Sequence, residues 1–273
     1  EVTQISVDAV YARGKKQQKE GETRDDLFLT VIVDLKTRKV IWVSQSRRKE
    51  ALDQFFELIG KSACEKIKVV ATDQHEGYGA SVREYCKNAI QVWDRFHLVQ
   101  NFNEALNEDR KVELSNIDPK GEMEDLMNGK YRYIFLTKEK NRSKKDQRHI
   151  DEVMRLNEKM AKIELIKEHF HKVFECETAE EAQVLLGEIY QWSFDANASN
   201  IWKWIKDLRE KKVFWNYFKY KVTTGLSEGM NRVIKGLKWQ AYGYKDMAYF
   251  GLKILQKCGY LNSRFHGSVM PVI

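Results

Sequence analysis

Proline is almost absent from this chain, with two residues in 273. Long helices therefore run unobstructed, since proline is the residue that most effectively breaks one. Cysteine is scarce too. Cys64, Cys86, Cys176 and Cys258 stand far apart and form no Cys-x-x-Cys pair. That excludes a zinc module and a disulfide framework, and buried thiols in a reducing compartment are the expectation. No apolar run approaches membrane-spanning length, and no signal peptide is visible. Internal repeats and low-complexity tracts are missing. The first residue is Glu1 and strand character begins almost at once, so a fragment of a longer protein is expected.

What is present is a core-forming composition with a basic balance. At 42% hydrophobic and 12% aromatic the chain can bury a substantial core, which excludes a disordered tail. The net charge is +7, and it is uneven: residues 201–273 hold 14 Lys and Arg against 4 Asp and Glu. A basic final quarter suits contact with a phosphate backbone.

Residues 2–13, 27–33, 40–43, 67–72 and 89–93 read as strands, being short runs rich in β-branched and aromatic side chains. Asp34 to Lys39 turns between the second and third, which predicts a hairpin. Helices are expected between the third and fourth strands, around Phe55 and Phe56, and over 79–87. The order β-β-β-α-β-α-β is a mixed α/β layer, with the first strand central beside the one that ends at Asp73. From about 98 to 218 the alternating pattern gives way to spacings of three and four, as in Val153, Leu156, Met160, Ile163, Ile166 and Phe170, and helices alone are expected there. Thr178-Ala179-Glu180-Glu181 reads as a capping box, and the stretch around Asn141–Asp146 as an exposed loop. Residues 1–97 and 219–273 are then two parts of one α/β core, split by a helical insertion over 98–218.

Three acids stand out. Asp8 interrupts the apolar run Ile5 to Val10, and Asp73 ends the strand Ile67 to Thr72. Glu228 lies on an amphipathic stretch running from Leu226 to Lys238. At the helical period Leu226, Met230, Val233, Ile234 and Leu237 share one face, while Glu228, Asn231, Lys235 and Lys238 share the opposite one. Lysines suit a polyanion, but a carboxylate aimed at the same polyanion is repelled unless a metal cation lies between them. The pattern points to metal-assisted phosphoryl transfer on nucleic acid. An ordinary surface helix and strand-end acids are the plainer reading of the same residues.

Val7-Asp8, Thr72-Asp73, Trp93-Asp94-Arg95-Phe96-His97 and Gly225-Leu226-Ser227-Glu228-Gly229-Met230-Asn231 occur in that order, followed by Ala241-Tyr242-Gly243-Tyr244. Through these motifs nearly the whole chain resembles the catalytic domain of a bacterial insertion-sequence DDE transposase of the ISL-three family. The resemblance implies a ribonuclease H-like fold with a helical insertion before the last catalytic helix. It implies Asp8, Asp73 and Glu228 as catalytic metal ligands, and Asp94, His97 and Asn231 as active-site support. Zinc-binding and helix-turn-helix segments upstream are also implied, and this chain lacks them. Family members often carry an acid after the first Asp, where this chain has Ala9.

The expected chemistry is cleavage of double-stranded DNA at transposon ends and strand transfer into target DNA, with two Mg²⁺ ions that Mn²⁺ can replace. Three converging carboxylates repel unless cations neutralise them, and a metal pair about 3.5–4 Å apart does so. Lys235, Lys238, Arg232 and Trp239 are the expected DNA contacts, whereas Trp202 and Trp204 are expected to pack inside the insertion. Pairing two transposon ends makes a homodimer the natural assembly, and the bacterial cytoplasm, in association with the nucleoid, the expected location. Two alternatives remain at this stage: a ribonuclease H-like nuclease that cuts without joining, and an inactive transposase-derived DNA-binding protein.

Overall fold

A computed structural model describes residues 2–117, 121–128, 130–220 and 225–261, apart from the side chains of 122, 124 and 225–228. The chain divides into two compact units, one of residues 1–96 with 222–273 and the other of residues 97–221.

The first unit is built on a five-stranded mixed sheet. Strands β1 (Gln4–Tyr11), β2 (Phe28–Asp34), β3 (Lys39–Gln45), β4 (Val69–Thr72) and β5 (Ile90–Trp93) lie in the order β3-β2-β1-β4-β5. β1 is central, antiparallel to β2 and parallel to β4, with Val7 opposite Thr72. The β2–β3 hairpin turns at Asp34, whose carboxylate accepts from the Lys36 amide at 3.1 Å and the Thr37 hydroxyl at 2.6 Å. That acid is structural. Helices α1 (Lys49–Ile59) and α2 (Lys61–Cys64) precede β4, and α3 (Glu76–Tyr85) links it to β5. α3 begins three residues earlier than the spacing of apolar side chains indicates, because the segment after Asp73 turns straight into it.

Strand alternation explains the two cores of this unit. Ile5, Val7, Ile32, Trp42 and Val70 point to one side and pack with Leu52, Phe55, Phe56, Tyr78 and Val82. Val10, Leu29, Val31, Val33 and Val43 point to the other, against helices α12 (Gly225–Gln240) and α13 (Met247–Cys258) through Ile234, Met247, Phe250 and Ile254. Gly259, which ends α13, lies so close to β3 that a Cβ there would meet the Val40 and Leu255 carbonyl oxygens at 2.7 Å. Cys64 and Cys86 sit in the first core. Burial pushes the Cys86 thiol up to about 12, which keeps it protonated and unreactive.

Between β5 and α12 the described residues contain helices and no strand: α4 (Arg95–Ser115), α5 (Glu122–Met127), α6 (Tyr131–Leu136), α7 (Lys144–Leu156), α8 (Glu158–Val173), α9 (Ala179–Asp195), α10 (Ser199–Arg209) and α11 (Lys212–Tyr220). Trp204 packs with Phe102 and Phe170, and Trp202 with Tyr190 and Phe194. The Thr178 hydroxyl caps α9 at the Glu181 amide, while the Glu181 carboxylate reaches the Glu177 amide instead of closing on Thr178 itself. Buried Asp109 caps α10 from α4, accepting from the Asn200 and Ile201 amides. The 141–146 stretch is mostly exposed, as expected, but it is not all loop: Lys144 begins α7, and one side chain is drawn inward. Arg142 is buried on Glu164 at 2.7 Å, and Glu164 also holds the buried Lys167 ammonium at 3.0 Å.

Candidate active site

Asp8 is the polar interruption of an otherwise apolar strand, and alternation decides where it points. It shares the parity of Val10, so it faces the side of the sheet that α12 covers. The side chain is 7% exposed, and a carboxylate so buried needs partners. The Ala9 amide donates to Oδ1 at 2.7 Å, and the Asn231 Nδ2 donates to Oδ2 at 2.6 Å. The second bond joins residues 223 positions apart and fixes α12 on the central strand.

Asp73 follows β4 directly, as Asp8 follows Val7 on the paired strand. It is half-buried, and its Oδ1 accepts from the His75 amide at 2.9 Å, which starts the turn into α3. Tyr78 of α3 belongs to the core on the other face of the sheet from Asp8; it is fully buried, its hydroxyl 2.7 Å from the Thr30 hydroxyl. Burial pushes that hydroxyl up, and the nearby Asp73 and Asp8 carboxylates push it further. Sequence reading misses Tyr78 and Thr30, since neither stands out until β2 and α3 are brought together.

Asp94 lies directly after β5 and is 7% exposed. Its Oδ1 accepts from the Phe96 amide at 2.8 Å, opening the first turn of α4, which also carries His97. Asp8, Asp94 and His97 each offer a ligand atom, and these atoms lie within 4.8 Å of one another. Carboxylate oxygens are the donors that hard divalent cations take, and an added imidazole suits Mn²⁺ as well, so this donor set fits such an ion. Asp73 is not part of that group. Asp94 and His97, expected as support, thus stand within ligand reach of Asp8. Glu228 occupies the first turn of α12, three residues before Asn231; its side chain lies outside the described residues.

The faces of α12 differ from the sequence expectation. Val233, expected on the apolar side, is 42% exposed. Lys238, expected opposite it, donates to the Tyr11 carbonyl at 3.2 Å and lies over the Tyr11 ring, with its ammonium pKa lowered by burial. The buried arc centres on Ile234 and takes in Asn231 and Lys238. Asp8 and the Tyr11 carbonyl supply acceptors at the end of β1, and polar side chains answer them. Arg232 and Lys235 are exposed, and Trp239 is 80% exposed.

Comparison with known proteins extends the pattern. A family model described as Transposase, for DDE transposases of the ISL3 type, matches residues 18–254. That interval takes in Asp73, Asp94, His97, Glu228 and Asn231 and starts after Asp8. The transposase for insertion sequence element IS1001 of Bordetella parapertussis is 23% identical over 234 residues, which cover 83% of this chain and 56% of that protein. The transposase for insertion sequence element IS1557 of Mycobacterium tuberculosis is 33% identical over 88 residues, or 32% of this chain and 20% of that protein. The chain therefore matches about half the length of the first relative and less of the second. No solved structure matches it. None of the described helices is long and apolar enough to cross a membrane. With most of its length matched by the family model, this chain belongs to the ISL-three family of DDE transposases.

Proposed function

We propose that this chain is the catalytic domain of a transposase that cleaves DNA at transposon ends and transfers the freed 3′-ends into target DNA. The observation that carries the reading is the Asn231–Asp8 hydrogen bond, which seats the helix of Glu228 on the strand of Asp8. Glu228 and Asn231 are three apart on one helix, a spacing that sets two positions on the same side. Asp8, Asp73 and Glu228 are the catalytic ligands in this reading, with Asp94 and His97 beside them. The sheet unit is a ribonuclease H-like core, into which the helical residues 98–218 are inserted.

Two Mg²⁺ ions, or Mn²⁺ in their place, supply activation of a water or 3′-hydroxyl and charge stabilisation at the leaving 3′-oxygen when bound. The chain's own residues hold the geometry. Asn231 fixes the Asp8 carboxylate, Asp94 orients the first turn of α4, and His97 donates a hydrogen bond toward the scissile phosphate. Lys235 and Arg232 meet the adjoining DNA backbone, which positions the duplex without reading its sequence. Pairing of two ends requires two copies, so the active assembly is a homodimer on double-stranded DNA in the bacterial cytoplasm.

The test uses a supercoiled plasmid bearing the element's own ends, with Mg²⁺ or Mn²⁺. The wild-type chain is expected to cut at those ends and to join pre-cut 3′-ends to a second DNA, and Asp8→Asn, Asp73→Asn and Glu228→Gln each to lose both steps. Cutting without joining indicates a nuclease. Binding without any cutting by the wild type indicates a non-catalytic DNA-binding protein.

A further inference from the structure

The end of α12, at Trp239, and the turn after it, at Tyr242, hold two aromatic rings that no core uses. Trp239 is 80% exposed and Tyr242 is wholly exposed. The turn is ordered by its own backbone. The Ala241 amide donates to the Leu237 carbonyl, Tyr242 to Trp239, and Gly243 to Lys238, at 2.9–3.2 Å. Tyr244 then stacks on buried Phe250, with ring centroids 4.4 Å apart and planes at 12°. The rings are therefore presented from a fixed support.

Tyr242 has φ of +51°, a left-handed conformation that glycine or asparagine adopts more easily. A bulky ring held there, fully in solvent, gains nothing for folding. An outlier of this kind points to a use outside the fold. The surroundings narrow that use. Lys235 and Lys245 are exposed nearby in sequence, and the one acid in the stretch, Asp246, is occupied in capping α13 through the Ala248 and Tyr249 amides.

We propose that Trp239 and Tyr242 form a stacking surface for unpaired bases of a DNA strand, with Lys235 and Lys245 meeting the phosphates that flank them. The proposal rests on the DNA reading above and deepens it by naming the form of DNA bound. In a paired duplex the faces of the bases are covered by their neighbours and only their edges are open. A flat ring in solvent can stack only on a base whose face is free, as in a single-stranded tail. Two rings among cations match that ligand better than an apolar protein surface, which needs a contiguous apolar patch.

The experiment compares a blunt duplex with the same duplex extended by a short single-stranded oligothymidine 3′-tail, both titrated with the full chain in EDTA. The wild type is expected to bind the tailed duplex about tenfold more tightly, within the range that one or two stacked bases support. A 2-aminopurine placed in the tail should lose fluorescence on binding. Trp239→Ala with Tyr242→Ala should bind the two duplexes within about twofold of each other. Tyr242→Gly provides the control for folding: glycine suits this backbone, so its melting temperature should not fall while its preference for the tail does. Equal binding of both duplexes by the wild type, or a preference that survives in the double variant, overturns the proposal. Because EDTA removes cleavage from the assay, those outcomes leave the transposase reading standing. Loss of cutting in the plasmid assay, with the tail preference intact, removes that reading alone.

Discussion

Asn231 donates from Nδ2 to Asp8 Oδ2 at 2.6 Å, joining the helix that carries Glu228 to the central strand of the sheet. Such a partner orients a ligand without being one. Its removal is expected to weaken metal binding about 10–100-fold, the usual cost of losing a residue that holds a ligand in place. Asn231→Ala should raise the Mn²⁺ concentration needed for half-maximal cleavage by that factor, whereas Asn231→Asp sets a second carboxylate against Asp8 and should do worse. Unchanged Mn²⁺ dependence in both variants removes the positioning role.

Asp94 and His97 lie within ligand reach of Asp8. Titration of Mn²⁺ followed by electron paramagnetic resonance needs no DNA and reads binding directly. Asp8→Asn should abolish the tight site. Asp94→Asn and His97→Ala should each weaken it by about tenfold or more if they ligate, and by less if they only orient their neighbours. Wild-type binding by Asp94→Asn would falsify a direct role for that carboxylate.

Lys235 and Lys238 separate into different roles. Lys235 is exposed, while Lys238 is tied to the Tyr11 carbonyl. Lys235→Ala should reduce the salt dependence of duplex binding by about one unit of slope, equally on specific and random DNA. Lys238→Ala should instead lower stability by about 1 kcal/mol, the net worth of a typical hydrogen bond. Denaturant melts and salt titrations of the two single variants decide the matter. Glu228→Gln, which alters a ligand and not a phosphate contact, should lose cleavage and keep DNA binding in EDTA.

Glu164 lies between Arg142 at 2.7 Å and Lys167 at 3.0 Å, all three buried. Glu164→Leu leaves buried Arg142 without its carboxylate and Lys167 with the Glu168 carboxylate alone at 3.4 Å, so a loss of about 3–5 kcal/mol is expected. A loss below ~1 kcal/mol in a denaturant melt means the two cations find water or other partners.

The strands, the β2–β3 hairpin and a central β1 beside β4 were legible because each strand is a short run of β-branched residues bounded by turn residues, whereas the edge place of β5 was not. Nor was the rotation of α12. Hydrophobic periodicity assigns a face from apolar residues alone, and here the buried arc includes Asn231 and Lys238 because acceptors at the end of β1 draw them in. Arg142 misleads in the same way: a charged residue in a polar stretch reads as solvated, yet a carboxylate on another helix buries it. Asp94 and His97 stand out as a motif, but their distance from Asp8 depends on β5 lying next to β4 and β4 next to β1.

The separation of 223 positions between Asp8 and Asn231 also sets an order of events during synthesis. Chains emerge at about 5–20 residues per second and fold from the amino end, so all five strands are complete before the helical unit has begun to appear. Asp8 then waits without its amide partner until α12 leaves the ribosome, after every helix of the other unit. An incomplete chain therefore carries the sheet and two of the acids but not Glu228. In the proposed reading the site is complete only once α12 has been made, so chains that stop before it are expected not to cut DNA.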